Sequence, residues 1–149
     1  MHKLLCAFML LVALSALAGA KDLQNLDSGG VAIQGYDPVA FFADSQPVKG
    51  SPQFQSDYHG AKYYFASADH KAMFDKSPSQ YEPQFGGYCA YGTSRGKTVP
   101  VKIDAWQILD GRLLMQYDLD VKGEFNKEPQ GNLKKADQNW PGLIDKYGK

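Results

Sequence analysis

Sulfur and imidazole side chains are few in this sequence, and they define the metal chemistry it could do. Beyond residue 20 they are His59, His70, Met73, Cys89 and Met115. Thiolate and thioether sulfur select Cu(I), and imidazole also binds copper well, so a sparse set of these ligands suits copper before other heavy metals. The residue types therefore predict a metal site, copper first, built on His70 and Cys89. Met73, Met115 or His59 would supply the third ligand.

Cys89 could instead act as a nucleophile. It lies in the glycine-flanked stretch from Gly86 to Gly92, which could place its thiol at the start of a helix, where the pKa of a cysteine falls. His70 would then be the base, and Asp69 or Asp104 would orient it. However, no sequence signature fixes that geometry and Cys89 has no resolving partner. The sequence favours a non-enzymatic protein over a thiol-dependent enzyme.

A non-catalytic binding domain is the third possibility. Residues 92–102 combine glycine, hydroxyl and cationic side chains, and backbone N–H groups in such a turn could hold an anion. A set of tyrosines could line a pocket for a small ligand: Tyr63, Tyr64, Tyr81, Tyr88 and Tyr91. Aromatic side chains more often form a core. These features are typical of a structural domain, or of one that binds a protein or a small ligand.

The first twenty residues have the pattern of an export signal. Lys3 precedes an uncharged run from Leu4 to Ala18, and Ala18-Gly19-Ala20 forms a small-x-small cleavage site. The run is short for a membrane span of about 20 residues. We therefore predict a cleaved signal peptide over residues 1–20 and a periplasmic or secreted protein, with no membrane attachment after cleavage. Cleavage would leave Cys89 as the sole thiol, which cannot form an internal disulfide.

Composition limits the size of the fold and its partners. The chain has 149 residues, a formal net charge of zero and 44% hydrophobic residues. That length supports one domain, and the hydrophobic content is sufficient for a core. A neutral chain has no electrostatic basis for binding nucleic acid or an anionic membrane surface. We expect a flexible lead-in at 21–30, one domain at 31–143 and a tail at 144–149.

An internal repeat with a period of 51 residues predicts the architecture. Gly60 and Gly111 each mark a hairpin turn between alternating apolar strands, and Ser67 and Asp118 each stand where a helix N-cap is expected. The other matching pairs are Asp69 and Asp120, Lys71 and Lys122, Phe74 and Phe125, Lys76 and Lys127, and Pro78 and Pro129. The sequence predicts an α+β fold, a single small domain of two β-hairpin–helix units with a C-terminal helix.

The same pattern makes more local predictions. Val31 to Ile33 and Pro38 to Phe42 read as short strands, and the last helix is expected to begin near Pro129 and end before Pro141. The repeat aligns His70 with Val121, which predicts an inward, partly buried imidazole. It aligns Met73 with Glu124, an outward position, and His59 with Asp110, a solvated turn position.

Three motifs resemble those of YHS domain proteins, in their exported single-domain branch. The first is Gly35-Tyr36-Asp37-Pro38-Val39-Ala40-Phe41-Phe42. The second runs from Tyr63-Tyr64-Phe65-Ala66-Ser67 through Phe74, Pro78 and Tyr81, and the third is Gly86-Gly87-Tyr88-Cys89-Ala90-Tyr91. The resemblance covers roughly residues 31–143. It implies an α+β domain, and for members joined to copper-pumping ATPases it implies heavy-metal binding through cysteines.

The sequence departs from this family at the cysteine positions. They fall after Asp-Pro-Val, after Tyr-x-Phe and four residues further on, where this chain has Ala40, Ala66 and His70. Alanine cannot ligate a metal, so only His70 keeps ligand chemistry at these positions. We predict that any metal affinity is weaker than in members with the complete cysteine pattern.

Overall fold

The computed structural model describes residues 20–149. Apart from Ala20, the predicted signal peptide lies outside these residues. The described chain folds into helices and two separate two-stranded antiparallel sheets. The predicted α+β class, with one domain of two hairpin–helix units and a C-terminal helix, is confirmed. No helix within residues 20–149 is both long and apolar enough to cross a bilayer.

The first unit is a hairpin followed by a helix. The elements in order are β1 (Ser51–Tyr58), β2 (Ala61–Phe65), α2 (Ala68–Lys76) and the short α3 (Pro78–Tyr81). His59 and Gly60 form the turn with positive φ values of 49° and 78°, the conformation of a tight two-residue hairpin turn. The Ser67 hydroxyl accepts a hydrogen bond from the His70 N–H and caps α2, as the sequence predicts.

The second unit repeats this arrangement 51 residues later. Its elements are β3 (Lys102–Leu109), β4 (Arg112–Gln116) and α5 (Leu119–Phe125). Asp110 and Gly111 again have positive φ values, and the Asp118 carboxylate caps α5 through the Val121 N–H. Each hairpin has its register irregularity at the same place, between Ser51 and Gln55 in the first and between Lys102 and Trp106 in the second.

The repeat also includes the segments before each hairpin. A 3-10 turn at Ile33–Gly35 precedes helix α1 (Pro38–Ala43), and a 3-10 turn at Gln84–Gly87 precedes helix α4 (Ala90–Ser94). Both turns contain consecutive residues with positive φ, at 33–35 and 85–87. The backbone N–H of Asp37 donates to Val48 and that of Cys89 donates to Val99, each at 2.9 Å. Two similar units therefore form the domain. In these leading segments equivalent residues are 52 positions apart, one more than in the hairpins and helices.

The core joins the two units. One cluster contains buried residues from both hairpin–helix units: Tyr63, Phe65, Phe74, Leu113 and Met115 are among them. The rings of Phe41 and Trp106 meet edge to face at 5.2 Å between centroids. The C-terminal helix α6 (Pro129–Tyr147) contributes Leu133 and Ala136 to a second cluster with Phe85 and Phe125. Burial of these apolar surfaces supplies the main stabilisation of the fold.

Two local predictions are wrong. Residues 38–42 belong to helix α1, because the Asp37 side chain caps it and Pro38 occupies its first turn, where proline is tolerated. Val31 and Ala32 form only isolated β-bridges, and Ile33 begins the 3-10 turn. The last helix does not end before Pro141 but continues to Tyr147. Leu143 is buried beyond the proline, and its packing offsets the hydrogen bond that Pro141 cannot donate.

The two ends of the domain are paired with each other. Asp22 and Lys149 exchange two backbone hydrogen bonds of 3.0 Å, and Leu26 bridges to Ala32. Leu23 is buried. The segment expected as a flexible lead-in and the segment expected as a tail are therefore both packed into the domain.

Candidate functional site

The carboxylate of Asp37 is the centre of a buried polar cluster in the first unit. Its Oδ1 accepts hydrogen bonds from the backbone N–H groups of Val39 at 2.9 Å and Ala40 at 3.3 Å. Its Oδ2 accepts from the Ala66 N–H at 2.9 Å and lies 2.5 Å from His70 Nδ1. Asp37 is fully buried. Its charge is therefore compensated entirely by these donors.

The imidazole of His70 connects this buried carboxylate to the surface. His70 is partly buried on the inward face of α2, as the repeat predicts, with 16% of its side chain exposed. A carboxylate only accepts hydrogen bonds, so Nδ1 is the donor to Asp37, and in a neutral ring Nε2 would carry the lone pair. Nε2 lies 4.0 Å from Oδ2 of Asp44, whose side chain is 42% exposed. The ring thus presents one free nitrogen beside a solvent-accessible carboxylate.

Cys89 lies in a different buried environment in the second unit. Its Sγ accepts the backbone N–H groups of Gly92 at 3.4 Å and Tyr117 at 3.3 Å, and it donates to the Gln116 side chain at 3.3 Å. Burial raises the pKa of the Cys89 thiol, outweighing the N–H groups that lower it. An activated cysteine requires the opposite shift. The environment of Cys89 is that of a structural thiol and gives no support to the thiol-enzyme hypothesis.

Asp37 and Cys89 are equivalent positions of the repeat. Each caps a short helix, and each accepts the N–H of the residue that follows a hairpin, Ala66 in the first unit and Tyr117 in the second. Asp37 is not among the residues predicted from the sequence to contact His70. The signal was present, because Gly-Tyr precedes both residues, as Gly35-Tyr36 and Gly87-Tyr88. The repeat extends to these residues when its period is lengthened from 51 to 52 positions upstream of the hairpins.

The predicted ligands are distributed over separate surroundings. Met115 is buried and bridges to Cys89, whereas Met73 is 40% exposed on α2, as expected. His59 is half exposed in the hairpin turn, also as expected, and its Nδ1 lies 3.5 Å from Glu82. Among residues 20–149, the polar contacts of His70 and those of Cys89 have no residue in common.

The same range of the chain contains no group of three or more His, Cys, Asp and Glu side chains arranged to hold a metal ion. The pairing of His70 with Cys89, and copper as the bound ion, stay predictions.

Comparison with known proteins identifies the first unit. The family model of the YHS domain matches residues 39–84. The chain contains a YHS domain. No curated protein and no solved structure matches the chain. The matched segment runs from α1 to the 3-10 turn that begins the second unit, so it includes His70 but not Cys89.

The YHS unit also explains where the missing cysteines would lie. The three positions at which the resemblance places cysteines are Ala40, Ala66 and His70. All three contact the Asp37 carboxylate, two through their backbone N–H groups and the third through its imidazole. In this chain these three positions surround an aspartate–histidine pair, Asp37 and His70, and not a cluster of thiols.

The buried thiol of Cys89 leads to a prediction on reactivity. In the native protein at neutral pH, we expect Cys89 to react with a disulfide reagent at least about a hundredfold more slowly than in the protein unfolded in guanidinium. The 1% exposure of the residue limits access of the reagent to the sulfur. Its raised pKa lowers the fraction of thiol present as the attacking thiolate. The measurement is a stopped-flow trace of thiol release. Equal rates in the two states would contradict the assignment of Cys89 as a structural thiol.

Proposed function

We propose that this protein is an exported, non-enzymatic YHS domain that binds a heavy-metal ion through His70. Copper is the first candidate, and the site is weaker than a cysteine-based one. The observation that supports this proposal is the arrangement Asp37–His70–Asp44 within the matched segment and its cap. A buried carboxylate holds one ring nitrogen, and the other ring nitrogen lies beside a second, accessible carboxylate.

The hydrogen bond from His70 to Asp37 suits a metal ligand. Histidines that bind metals commonly donate their second N–H to a carboxylate, which fixes the tautomer and makes the free nitrogen a better donor. Here the carboxylate is itself held by the N–H groups of Val39, Ala40 and Ala66. The ring is therefore oriented before any ion arrives, and binding does not have to order it.

The distance from His70 to Asp44 fits a shared ion after a small adjustment. Two ligands at about 2.0–2.1 Å from a tetrahedral ion lie about 3.3 Å apart, and His70 Nε2 and Asp44 Oδ2 are 4.0 Å apart. Asp44 is exposed enough to move by that difference. Nitrogen and oxygen donors favour Cu(II) or Zn(II) over Cu(I). Only two protein donors take part, so water would complete the coordination and the affinity would be modest.

Export is the second part of the proposal. The apolar run and small-x-small site before Lys21 support a signal peptide, and the periplasm or the extracellular space is oxidising. Copper in such a compartment is available as Cu(II), the oxidation state that the donors of His70 and Asp44 prefer. A solitary buried thiol at Cys89 is also compatible with that compartment, because it is protected from oxidation and from intermolecular pairing.

Metal titration tests the proposed site. We expect one equivalent of Cu(II) to bind with a Kd on the order of 1 μM, about −8 kcal/mol. We expect His70→Ala to abolish this binding and Asp44→Asn to weaken it roughly tenfold. The measurements are calorimetry and electron paramagnetic resonance, in which nitrogen hyperfine structure from the imidazole should disappear in His70→Ala. A picomolar constant would contradict the weak site predicted here.

Two variants serve as matched controls. His59→Ala removes an exposed imidazole in the hairpin turn, and Cys89→Ser replaces the buried thiol in the second unit. Both should bind Cu(II) as the parent protein does. A stoichiometric Cu(I) site that is lost in both Cys89→Ser and His70→Ala would instead support the pairing predicted from the sequence. Absence of metal binding in the parent protein would leave a structural or interaction domain as the function of this YHS unit.

A further inference from the structure

A cleft separate from the His70 site lies where five parts of the chain meet. Its volume is about 460 Å³. The N-terminal segment contributes Gln24, the turn of the first hairpin contributes His59, and the residue after α3 contributes Glu82. Arg112 of β4 and Trp140 of α6 complete the walls. A cleft of this size at the junction of several elements can hold a small organic molecule.

The one arginine that faces this cleft is already neutralised. Arg112 donates two hydrogen bonds to the Asp137 carboxylate, at 3.0 and 2.6 Å, and a third to the Gln84 side chain at 2.9 Å. Its guanidinium also lies over the Phe85 ring, 5.7 Å from the centroid. An incoming anion would have to compete with this two-pronged carboxylate pair. Arg112 therefore does not favour an anionic ligand.

The acceptors in the cleft, in contrast, have few donors among residues 20–149. The Glu82 side chain is only 20% exposed, and its one ionic partner within the described chain is His59 Nδ1, at the long distance of 3.5 Å. Burial raises the pKa of Glu82, which reports incomplete compensation of its charge. Gln24 Oε1 is buried and accepts no hydrogen bond from residues 20–149. A buried acceptor without a donor is unfavourable, and a donating ligand that reaches it would offset this cost.

An aromatic wall stands beside these acceptors. Trp140 is partly buried, and its indole meets the Phe85 ring edge to face at 6.0 Å between centroids. An indole face attracts cations and packs well against another ring. The cleft thus combines a carboxylate, an unpaired amide oxygen and an aromatic surface.

We propose that this cleft binds a small aromatic primary amine. Its ammonium group would donate hydrogen bonds to Glu82 and Gln24, and its ring would pack on Trp140. The carboxylate selects a cation over a neutral or anionic analogue, and the aromatic wall selects an arylalkyl chain over a simple alkylamine. This site is independent of the metal site proposed at His70.

Phenethylamine, with 2-phenylethanol and phenylacetate as its neutral and anionic counterparts, provides the test. We expect phenethylamine to shift the Trp140 indole N–H and the Gln24 side-chain amide signals in a ¹H–¹⁵N spectrum of the protein produced from the full chain. The shifts should saturate with a Kd of roughly 1 mM or tighter. The two counterparts should bind at least about tenfold more weakly. Equal binding of all three compounds, or shifts that do not saturate, would overturn the proposal.

Variants separate the site from a general effect of charge. Glu82→Gln keeps the shape of the side chain and should weaken phenethylamine binding about tenfold or more. Glu124→Gln removes an exposed carboxylate outside the cleft and should leave binding unchanged. Gln24→Met provides a second variant that removes the unpaired acceptor and should also weaken binding. If Glu82→Gln and Gln24→Met, both folded by circular dichroism, bind as the parent does, the assignment of this cleft is wrong.

Discussion

Replacement of Asp37 by alanine is expected to lower the free energy of unfolding by roughly 3–5 kcal/mol. The carboxylate is fully buried and is the shared acceptor for Val39, Ala40, Ala66 and His70. Its removal leaves these donors without their acceptor in a buried site. It also removes the cap of α1, which alone is worth about 1 kcal/mol.

The measurement is guanidinium unfolding followed by tryptophan fluorescence and circular dichroism. Asp37→Asn keeps one acceptor oxygen but removes the charge and one acceptor position. Its free energy of unfolding should therefore lie between those of the parent and the alanine variant. Asp44→Asn is the matched control, because this carboxylate is 42% exposed and its one ionic contact within residues 20–149 is the long one to His70. It should change stability by less than about 0.5 kcal/mol. A loss below about 1 kcal/mol in Asp37→Ala would show that the cluster does not stabilise the fold.

The sequence predicts the repeated part of the fold well because local signals there agree with the tertiary structure. Gly60 and Gly111 are needed for the left-handed turn conformation, and Ser67 and Asp118 satisfy the first N–H groups of their helices. These requirements depend on residue type and on neighbours within a few positions. They are therefore readable without knowing the rest of the chain, and both hairpin turns and both helix N-caps lie where the sequence predicts them.

The wrong predictions of secondary structure arise where contacts between residues distant in the sequence determine the conformation. Pro38 to Phe42 alternates too little to distinguish a strand from a helix, and the Asp37 side chain decides in favour of the helix by capping it. Pro141 is a helix-ending signal that the burial of Leu143 overrides. Asp22 pairs with Lys149 across the whole length of the chain, a contact that no local pattern reports. Tertiary packing prevails over local preference in each case.

At the candidate site, too, local signals are predicted correctly and distant contacts are not. The repeat correctly places His70 inward, Met73 outward and His59 in an exposed turn, because helical and hairpin periodicity determine which way a side chain faces. It does not reveal which group meets His70, since Asp37 is 33 residues earlier in the chain. Soft-ligand chemistry led to a pairing of His70 with Cys89. In the fold each residue of that pair has its own set of hydrogen bonds, and it is Asp37, not His70, that occupies the position equivalent to Cys89.

The equivalent phenylalanines of the two helices lead to the second large effect. We expect Phe74→Ala and Phe125→Ala each to lower the free energy of unfolding by about 3–5 kcal/mol, the cost of a large cavity in a packed core. Phe74 is 1% exposed and contacts the rings of Tyr63 at 4.9 Å and Phe65 at 5.2 Å between centroids. Phe125 is fully buried against α6 in the second cluster.

Neighbouring positions on the same helices provide the controls. Met73→Ala and Glu124→Ala alter the exposed residues that precede the two phenylalanines and should cost less than about 0.5 kcal/mol. Guanidinium unfolding should remain a single transition in every variant. Neither hairpin–helix unit can cover its own apolar face, and the first core cluster takes side chains from both. A second transition in Phe125→Ala, with the YHS unit still folded, would show that the matched segment is stable alone and that the second unit is not required for its fold.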